Sequence, residues 1–270
     1  MLDCPMLARR GLLVAVALTA GCDGGAPRWD PIFLDGRAVA VAGDTLLAFT
    51  RQGDARITVR DRRTGATYAR GENALTSPYH VQAQGGHWYV SDTEEGRSRI
   101  VVFSSDWELE RELSLDDVAA TPHQFAVLPD GRIVVEAPAG GLVTLTDDAP
   151  QPFAAAAAST RPAIIVAAGG GVLHAAHGTE IALYNENGNL RARRPWPWNE
   201  RAYVTDLSVD WRGRIHALVG GDRDGSFRVF TLDRNTFEPI RWSEASAAAT
   251  FVVGRLGELE PDSVGHWVER

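Results

Sequence analysis

A turn dipeptide recurs along the chain at nearly equal spacing, and this repeat limits the folds that the 270 residues can adopt. The second members of the pairs stand at positions 44, 86, 131, 171 and 213, so successive copies lie 42, 45, 40 and 42 residues apart. A short apolar run follows each pair, and such runs, rich in β-branched or aromatic residues, are typical of β-strands. The pairs are Gly43-Asp44, Gly85-Gly86, Asp130-Gly131, Gly170-Gly171 and Arg212-Gly213.

The clearest copy runs from Pro78 to Phe103 and contains three strand-like runs, at residues 79–84, 87–91 and 98–104. Gly85-Gly86 separates the first two runs and supplies the positive φ of a tight hairpin. We expect an acidic loop, Asp92 to Gly96, between the second and third runs. Turn signals farther along several copies indicate a fourth strand. A four-stranded unit repeated every 40 to 45 residues is typical of a propeller blade, so the sequence predicts an all-β propeller with four-stranded antiparallel blades.

The blade number follows from the length. About 249 residues follow position 21, which at roughly 41 per blade gives six blades. After Trp242 the chain has too few strand-like runs for a blade of its own. We therefore expect an N-terminal strand near Trp29 to Leu34 to join the C-terminal strands and close the last blade, since closure removes exposed sheet edges. Five blades remain an alternative.

The first residues have the pattern of an export signal. Arg9-Arg10 precedes the apolar run Gly11 to Ala20, which is too short to span a bilayer as a helix. The sequence Leu18 to Cys22 resembles the lipobox of bacterial lipoproteins, which implies cleavage before Cys22 and acylation of that cysteine. We predict a signal peptide at 1–21, a spacer at 22–27 and a propeller domain at 28–270. An ordinary secretion signal is the alternative.

A lipid anchor predicts a protein that is exported to the bacterial cell envelope and held at a membrane, with the leaflet left open. Cys4 and Cys22 are the two cysteines, so the processed chain would lack a disulfide and a thiol nucleophile. All 27 basic residues are arginine, which excludes a P-loop lysine and a Schiff-base lysine. The net charge of −8 argues against a nucleic-acid partner.

The copy from Pro78 to Phe103 also carries a family resemblance. A proline precedes its first strand, and Tyr89 to Asp92 (YVSD) and Arg99 to Phe103 (RIVVF) follow in order. With these motifs the chain resembles NHL-like six-bladed β-propeller proteins, in particular bacterial propeller lipoproteins. The fourth and fifth copies lack the aspartate and the arginine. The resemblance implies a ligand site at the mouth of the central channel.

The segments that enter the innermost strands carry the candidate site residues His80, His123, Tyr203 and Asp206. The resemblance implies that two such histidines could hold zinc in a metal-dependent lyase or hydrolase, with Tyr203 or Asp206 as acid or base. The corresponding segment of the fourth copy has no third histidine, so we assign no metal ligand or cofactor and leave zinc or calcium as an alternative. Otherwise the two histidines are ordinary hydrogen-bonding residues.

An arginine- and tryptophan-rich stretch between the fourth and fifth copies is a second candidate, because both residue types are enriched in binding hot spots. The alternative is a solvated outer strand with tryptophans that cover the blade junction. Its residues are Arg191, Arg193, Arg194, Trp196 and Trp198.

Two further sequence patterns are too weak to assign a metal ligand. His174 and His177 are three residues apart and would point to opposite faces of a strand. Asp222 to Gly225 lacks the further ligands of a calcium loop.

The sequence thus favours a lipid-anchored binding module for an envelope protein, peptide or glycan, with no catalytic residue assigned. The metal-dependent propeller enzyme is the alternative.

Overall fold

A computed structural model of the protein describes residues 32–34, 38–42, 46–51, 53–61, 64–116, 118, 124–146, 150–198, 202–209, 214–220, 227–242, 250–252, 259–261 and 267–269. The described residues form strands, turns and connecting segments, without a helix. A helix of the length and apolarity needed to cross a membrane is accordingly absent from these ranges.

Five four-stranded antiparallel sheets make up most of the described chain. Each sheet is a meander of four consecutive strands, as the repeat predicts. The first blade contains β2 (Ala38–Ala42), β3 (Leu46–Thr50), β4 (Ile57–Asp61) and β5 (Thr67–Arg70). The second contains β6 (Pro78–Gln84), β7 (His87–Glu94), β8 (Arg97–Phe103) and β9 (Leu109–Ser114). The third contains β10 (Ala126–Val127), β11 (Ile133–Glu136), β12 (Leu142–Leu145) and β13 (Pro150–Ala154).

The fourth blade contains β14 (Ile164–Ala168), β15 (Gly171–Ala176), β16 (Glu180–Tyr184) and β17 (Leu190–Pro195). The fifth contains β18 (Tyr203–Val209), β19 (Ile215–Gly220), β20 (Phe227–Leu232) and β21 (Pro239–Trp242). Two further sheets have two strands each. They pair β1 (Ile32–Leu34) with β22 (Thr250–Val252), and β23 (Leu259–Pro261) with β24 (Trp267–Glu269).

The first strand of each blade faces the ring centre, because β2, β6, β10, β14 and β18 contact one another in this order. β22 contacts both β18 and β2 and so lies between the fifth and first blades. β1 pairs antiparallel with β22, with Ile32 opposite Val252 and Leu34 opposite Thr250. This pairing confirms that strands from both ends of the chain meet. The described residues contain five four-stranded blades, which matches the five-blade alternative and not a full sixth blade.

The core lies between blades, and β8 shows why its apolar run is continuous. Val101 and Phe103 belong to the cluster shared with the first blade, whereas Ile100 and Val102 belong to the cluster shared with the third. Successive residues of a strand point to opposite faces. A blade packed on both sides therefore needs apolar residues at every position.

The glycine turns are observed with one correction. Gly85 and Gly86 have φ angles of 59° and 81°, as the hairpin requires. The turn into β15 is formed by Gly169 and Gly170 (φ 54° and 84°), so the prediction of Gly170-Gly171 is wrong by one residue. Gly171 is glycine for another reason, because a Cβ there would meet the Tyr184 carbonyl oxygen. The pairs at 43–44 and 212–213 lie outside the described residues.

The predicted acidic loop from Asp92 to Gly96 is shorter than expected. β7 continues to Glu94, and the turn consists of Glu95 and Gly96, with φ angles of 49° and 80°. Asp92 stays in the strand because it is buried opposite Arg99 and accepts hydrogen bonds there.

Candidate functional site

A cavity of about 210 Å³ lies at the end of the ring where the innermost strands begin, which we call the channel mouth. Its lining comes from four blades, since each contributes the first residues of its inner strand or the segment before it. The lining residues are Tyr79, Gln124, Arg161, Pro162, Ala163, Ile164, His177, Tyr203, Val204 and Thr205. The cavity therefore exists because the blades converge here.

Tyr203 is the one predicted channel-mouth residue in this lining. It is the first residue of β18, and its ring packs edge-on against Phe227 at 6.1 Å between centroids. The Arg161 guanidinium carbon lies 5.3 Å from the centre of the Tyr203 ring. This distance allows a cation–π contact, so Tyr203 positions a positive charge at the mouth.

His80 lies in β6 beside the cavity-lining Tyr79 but does not itself line the cavity. It is 7% exposed, and its ring meets Phe125 edge-on at 5.0 Å. Burial lowers the pKa of His80 to about 4, because desolvation disfavours the charged imidazolium. Its Nδ1 has no hydrogen-bond partner within the described ranges.

The other two channel-mouth candidates are not brought into the cavity. Asp206 lies three residues into β18, beyond a register shift, and its Oδ1 accepts a hydrogen bond from the Leu207 amide at 2.9 Å. His123 lies outside the described residues. No group of three metal-ligating side chains occurs in the described part of the chain.

Sequence reasoning missed Gln124, Arg161 and His177, which are among the polar residues that line the cavity. His177 follows the end of β15, so the alternation that would separate it from His174 does not hold at this position. Both histidines are buried. The signals available in the sequence were the His-x-x-His spacing and a polar residue directly before an inner strand.

His177 is surrounded by charged and titratable groups. Burial, with a smaller contribution from the Arg161 charge, lowers the pKa of His177 to about 4, while Glu136 acts in the opposite direction. Glu136 approaches His174, with 3.8 Å between Oε1 and Nε2, and its other oxygen accepts a hydrogen bond from the Ala163 amide. At neutral pH, His177 is therefore an uncharged wall of the cavity.

The arginine- and tryptophan-rich stretch lies on the outer edge of the fourth blade and in the connector that follows. Arg193 pairs with Glu180 at 3.5 Å and Arg194 pairs with Glu238 at 3.3 Å, while Arg191 is exposed. Trp196 and Trp198 are partly buried against the core cluster between the fourth and fifth blades. The structure thus places the tryptophans at the blade junction and the arginines along β17.

Solved structures provide the comparison with known proteins. A streptogramin B lyase has a TM-score of 0.56 and 15% identity, covering 80% of this chain and 72% of its own. A gluconolactonase from Xanthomonas campestris has a TM-score of 0.52 and 19% identity, covering 68% of each chain. A putative oxidoreductase (glucose dehydrogenase) from Thermus thermophilus has a TM-score of 0.53 and 16% identity, covering 88% of this chain and 92% of its own.

The blades and these likenesses define the chain as a β-propeller protein. No known protein family and no curated protein matches the sequence. At identities below 20% the solved structures show the fold alone, and propellers with different activities share it. The NHL-like subfamily therefore stays a prediction.

Proposed function

We propose that the protein is a lipid-anchored propeller of the bacterial cell envelope that binds an envelope protein, peptide or glycan at its channel mouth. The observation that carries this proposal is the cavity at the channel mouth, in which residues of four blades present tyrosine, arginine, glutamine and histidine side chains. Ligand sites combine apolar walls with a few convergent polar groups.

The size of the cavity favours recognition of one group of a larger ligand. Its volume of about 210 Å³ is below the roughly 300–1,000 Å³ of pockets that enclose drug-sized molecules. One amino-acid residue or one sugar ring fits this space better than a whole oligomer.

The anchor is proposed from residues 1–22, which lie outside the described structure. The topology is compatible with it. β1 ends three residues before β2 begins, and β2, as an inner strand, begins at the channel-mouth end. β1 therefore runs toward the mouth, so Ile32, the first described residue, lies at the end of β1 that is farther from the mouth.

Site-specific photocrosslinking in cells of the native host tests this proposal. A benzophenone amino acid at Tyr203 should form an adduct of defined mass, because that side chain lines the cavity. The same group at Tyr68, which is 44% exposed on the outer strand β5, is the matched control. Adducts at neither position, or equal adducts at both, would contradict binding at the channel mouth.

The metal-dependent enzyme remains the alternative, and no contact in the described residues favours it over the binding module. About one bound metal ion per chain would support the enzyme, and His80 and His123 would then be the ligands to test.

A further inference from the structure

Arg161 presents a cation at the channel mouth that the described part of the chain leaves without a counter-charge. It precedes β14, is exposed and lies over the Tyr203 ring. Within the described ranges no carboxylate lies within ion-pair distance of its guanidinium. The chain as a whole carries a net charge of −8. Among the described residues, Arg161 therefore places an unneutralised positive charge in a cavity of an acidic protein.

Several other arginines of the blades are engaged by carboxylates. Arg99 contacts Asp92, Glu94 and Glu112. Arg132 contacts Asp130, and Arg193 contacts Glu180, at 2.7 and 3.5 Å. Arg70 and Arg191 also lack a carboxylate partner within the described ranges, but they lie on outer strands. Arg161 differs in position, because it lines a cavity to which four blades contribute.

The cavity wall beside Arg161 holds polar atoms whose hydrogen-bonding capacity is unused within the described ranges. His177 is 5% exposed, and its Nδ1 has no partner there. The Gln124 Oε1 is buried and likewise unpartnered. Buried polar groups are ordinarily hydrogen-bonded in proteins, so both side chains have unused hydrogen-bonding capacity in the wall beside Arg161.

Arg161 supplies the charge of the cavity lining at neutral pH, because burial keeps His177 uncharged there. The Glu136 carboxylate is held behind the wall, where it accepts the Ala163 amide and approaches His174, and Glu136 does not line the cavity. An anion beside Arg161 would therefore be attracted by the guanidinium and would accept a hydrogen bond from the His177 ring.

We propose that the channel-mouth cavity binds a carboxylate group, held by Arg161 and His177, that belongs to a peptide or to an acidic sugar. Arginine suits this role because its planar guanidinium matches the two oxygens of a carboxylate. The neutral remainder of the ligand residue packs against Tyr79 and Tyr203, and its donor groups meet the Gln124 Oε1. This inference rests on the proposed ligand-binding role and adds the chemical class of the ligand.

Matched pairs of small probes test the inference on the full-length protein purified from membranes in detergent. N-acetylalanine and N-acetylalaninamide form the peptide pair, and glucuronic acid and glucose form the sugar pair. Ligand-observed NMR titrations give a dissociation constant for each probe. We expect at least tenfold tighter binding of the acid than of its neutral partner in one pair, and that pair identifies the source of the carboxylate.

Variants then assign the contact. Arg161→Gln should weaken binding of the preferred acid at least tenfold, and Arg161→Lys, which keeps the charge but not the planar fork, should weaken it less. Arg234→Gln removes an exposed arginine of the turn between β20 and β21, outside every candidate site, and should leave the dissociation constant unchanged. Because Arg161 is exposed, its variants should keep the unfolding midpoint of the wild type.

Equal affinity for acid and neutral partner in both pairs, or unchanged affinity in Arg161→Gln, would overturn the carboxylate site. The two experiments together distinguish failure of the carboxylate assignment from failure of the proposed function. Crosslinking at Tyr203 without a preference for acids would leave binding at the channel mouth intact and remove the carboxylate assignment. A preference for acids without crosslinks would support the carboxylate site and contradict the macromolecular partner.

Discussion

Asp92 and Arg99 lie directly opposite each other on β7 and β8, and their side chains form an ion pair of 2.8 Å inside the second blade. The Asp92 side chain is fully buried and also accepts hydrogen bonds from the amides of Thr76 and Ser77. Arg99 donates a further hydrogen bond to the Ala74 carbonyl. The pair thus fastens the connector between the first and second blades to the middle of the second.

This contact predicts a large stability difference between two carboxylates that touch the same arginine. Asp92→Ala should lower the free energy of unfolding by about 3–5 kcal/mol, since it removes the buried partner of Arg99 and leaves the Thr76 and Ser77 amides without their acceptor. Glu94→Ala removes a half-exposed partner of Arg99 and should cost under about 1 kcal/mol. Denaturant unfolding monitored by tryptophan fluorescence measures both. Equal costs would show that the buried pair does not hold the connector.

The repeat made the blade predictable, but not the role of its motif residues. The sequence shows Asp92 at the end of the Tyr-Val-Ser-Asp segment and Arg99 at the start of the Arg-Ile segment. Because a polar residue after an apolar run is typical of the start of a loop, the sequence predicts a loop that begins at Asp92. Asp92 instead remains in β7, because Arg99 and two backbone amides satisfy its carboxylate. Such compensation depends on a partner across the sheet, which local pattern does not reveal.

The candidate site was predictable to a smaller extent. The start of an inner strand predicts Tyr203 at the channel mouth, and Tyr203 lines the cavity. The same pattern predicts Asp206 there, but Asp206 lies three residues further along β18, beyond a register shift. Arg161 and His177 reach the cavity from loops, and the position of a loop side chain depends on packing between blades.

Two neighbouring glycines are required for different reasons: Gly171 because a side chain has no room there, and Gly170 because its φ angle is positive. Gly171→Ala would press a methyl group against the Tyr184 carbonyl of the neighbouring strand, so we expect a loss of about 3 kcal/mol, at the upper end for overpacking. Gly170→Ala has open space and a φ of +84°, so only the left-handed conformation costs, at about 1–2 kcal/mol. Thermal unfolding of both variants compares the losses. A greater loss for Gly170→Ala would mean that β15 and β16 separate readily.

The buried His80 predicts an acid-sensitive contribution to stability. The pKa of His80 is about 4 in the folded protein and 6.5 in its ordinary state, so the unfolded chain binds a proton between these values while the folded chain does not. Stability is therefore full above pH 6.5 and falls as the pH drops toward 4, by up to about 3 kcal/mol.

His80→Gln tests this pH dependence because glutamine stays neutral throughout. The variant should lose less stability than the wild type between pH 7 and pH 4.5, measured by urea unfolding at each pH. Parallel curves for the two proteins would mean that His80 is not desolvated in the folded state.

The metal content of the purified protein distinguishes the binding module from the metal-dependent enzyme. We expect less than about 0.1 equivalent of zinc in full-length protein purified without chelator, measured by mass spectrometry, because zinc sites use three or four protein ligands and the described residues hold no group of three His, Cys, Asp or Glu side chains. About one equivalent, lost in His80→Ala, would contradict this expectation and establish the metal-dependent alternative. His87→Ala, in an exposed histidine beside Glu110, is the matched control.

Cys22 and Cys4 provide a matched test of the anchor. The lipobox resemblance implies that the processed chain begins at an acylated Cys22, and several acyl chains at roughly 0.8 kcal/mol per buried CH₂ hold a protein durably at a membrane. Intact-mass spectrometry of protein extracted from the native host should therefore show loss of residues 1–21 and the added mass of the acyl groups. Cys22→Ser should lack the acyl mass and keep the leader, whereas Cys4→Ser, which changes a cysteine of the removed segment, should match the wild type. A processed wild-type chain without acyl mass would instead favour an ordinary secretion signal and a protein free of the membrane.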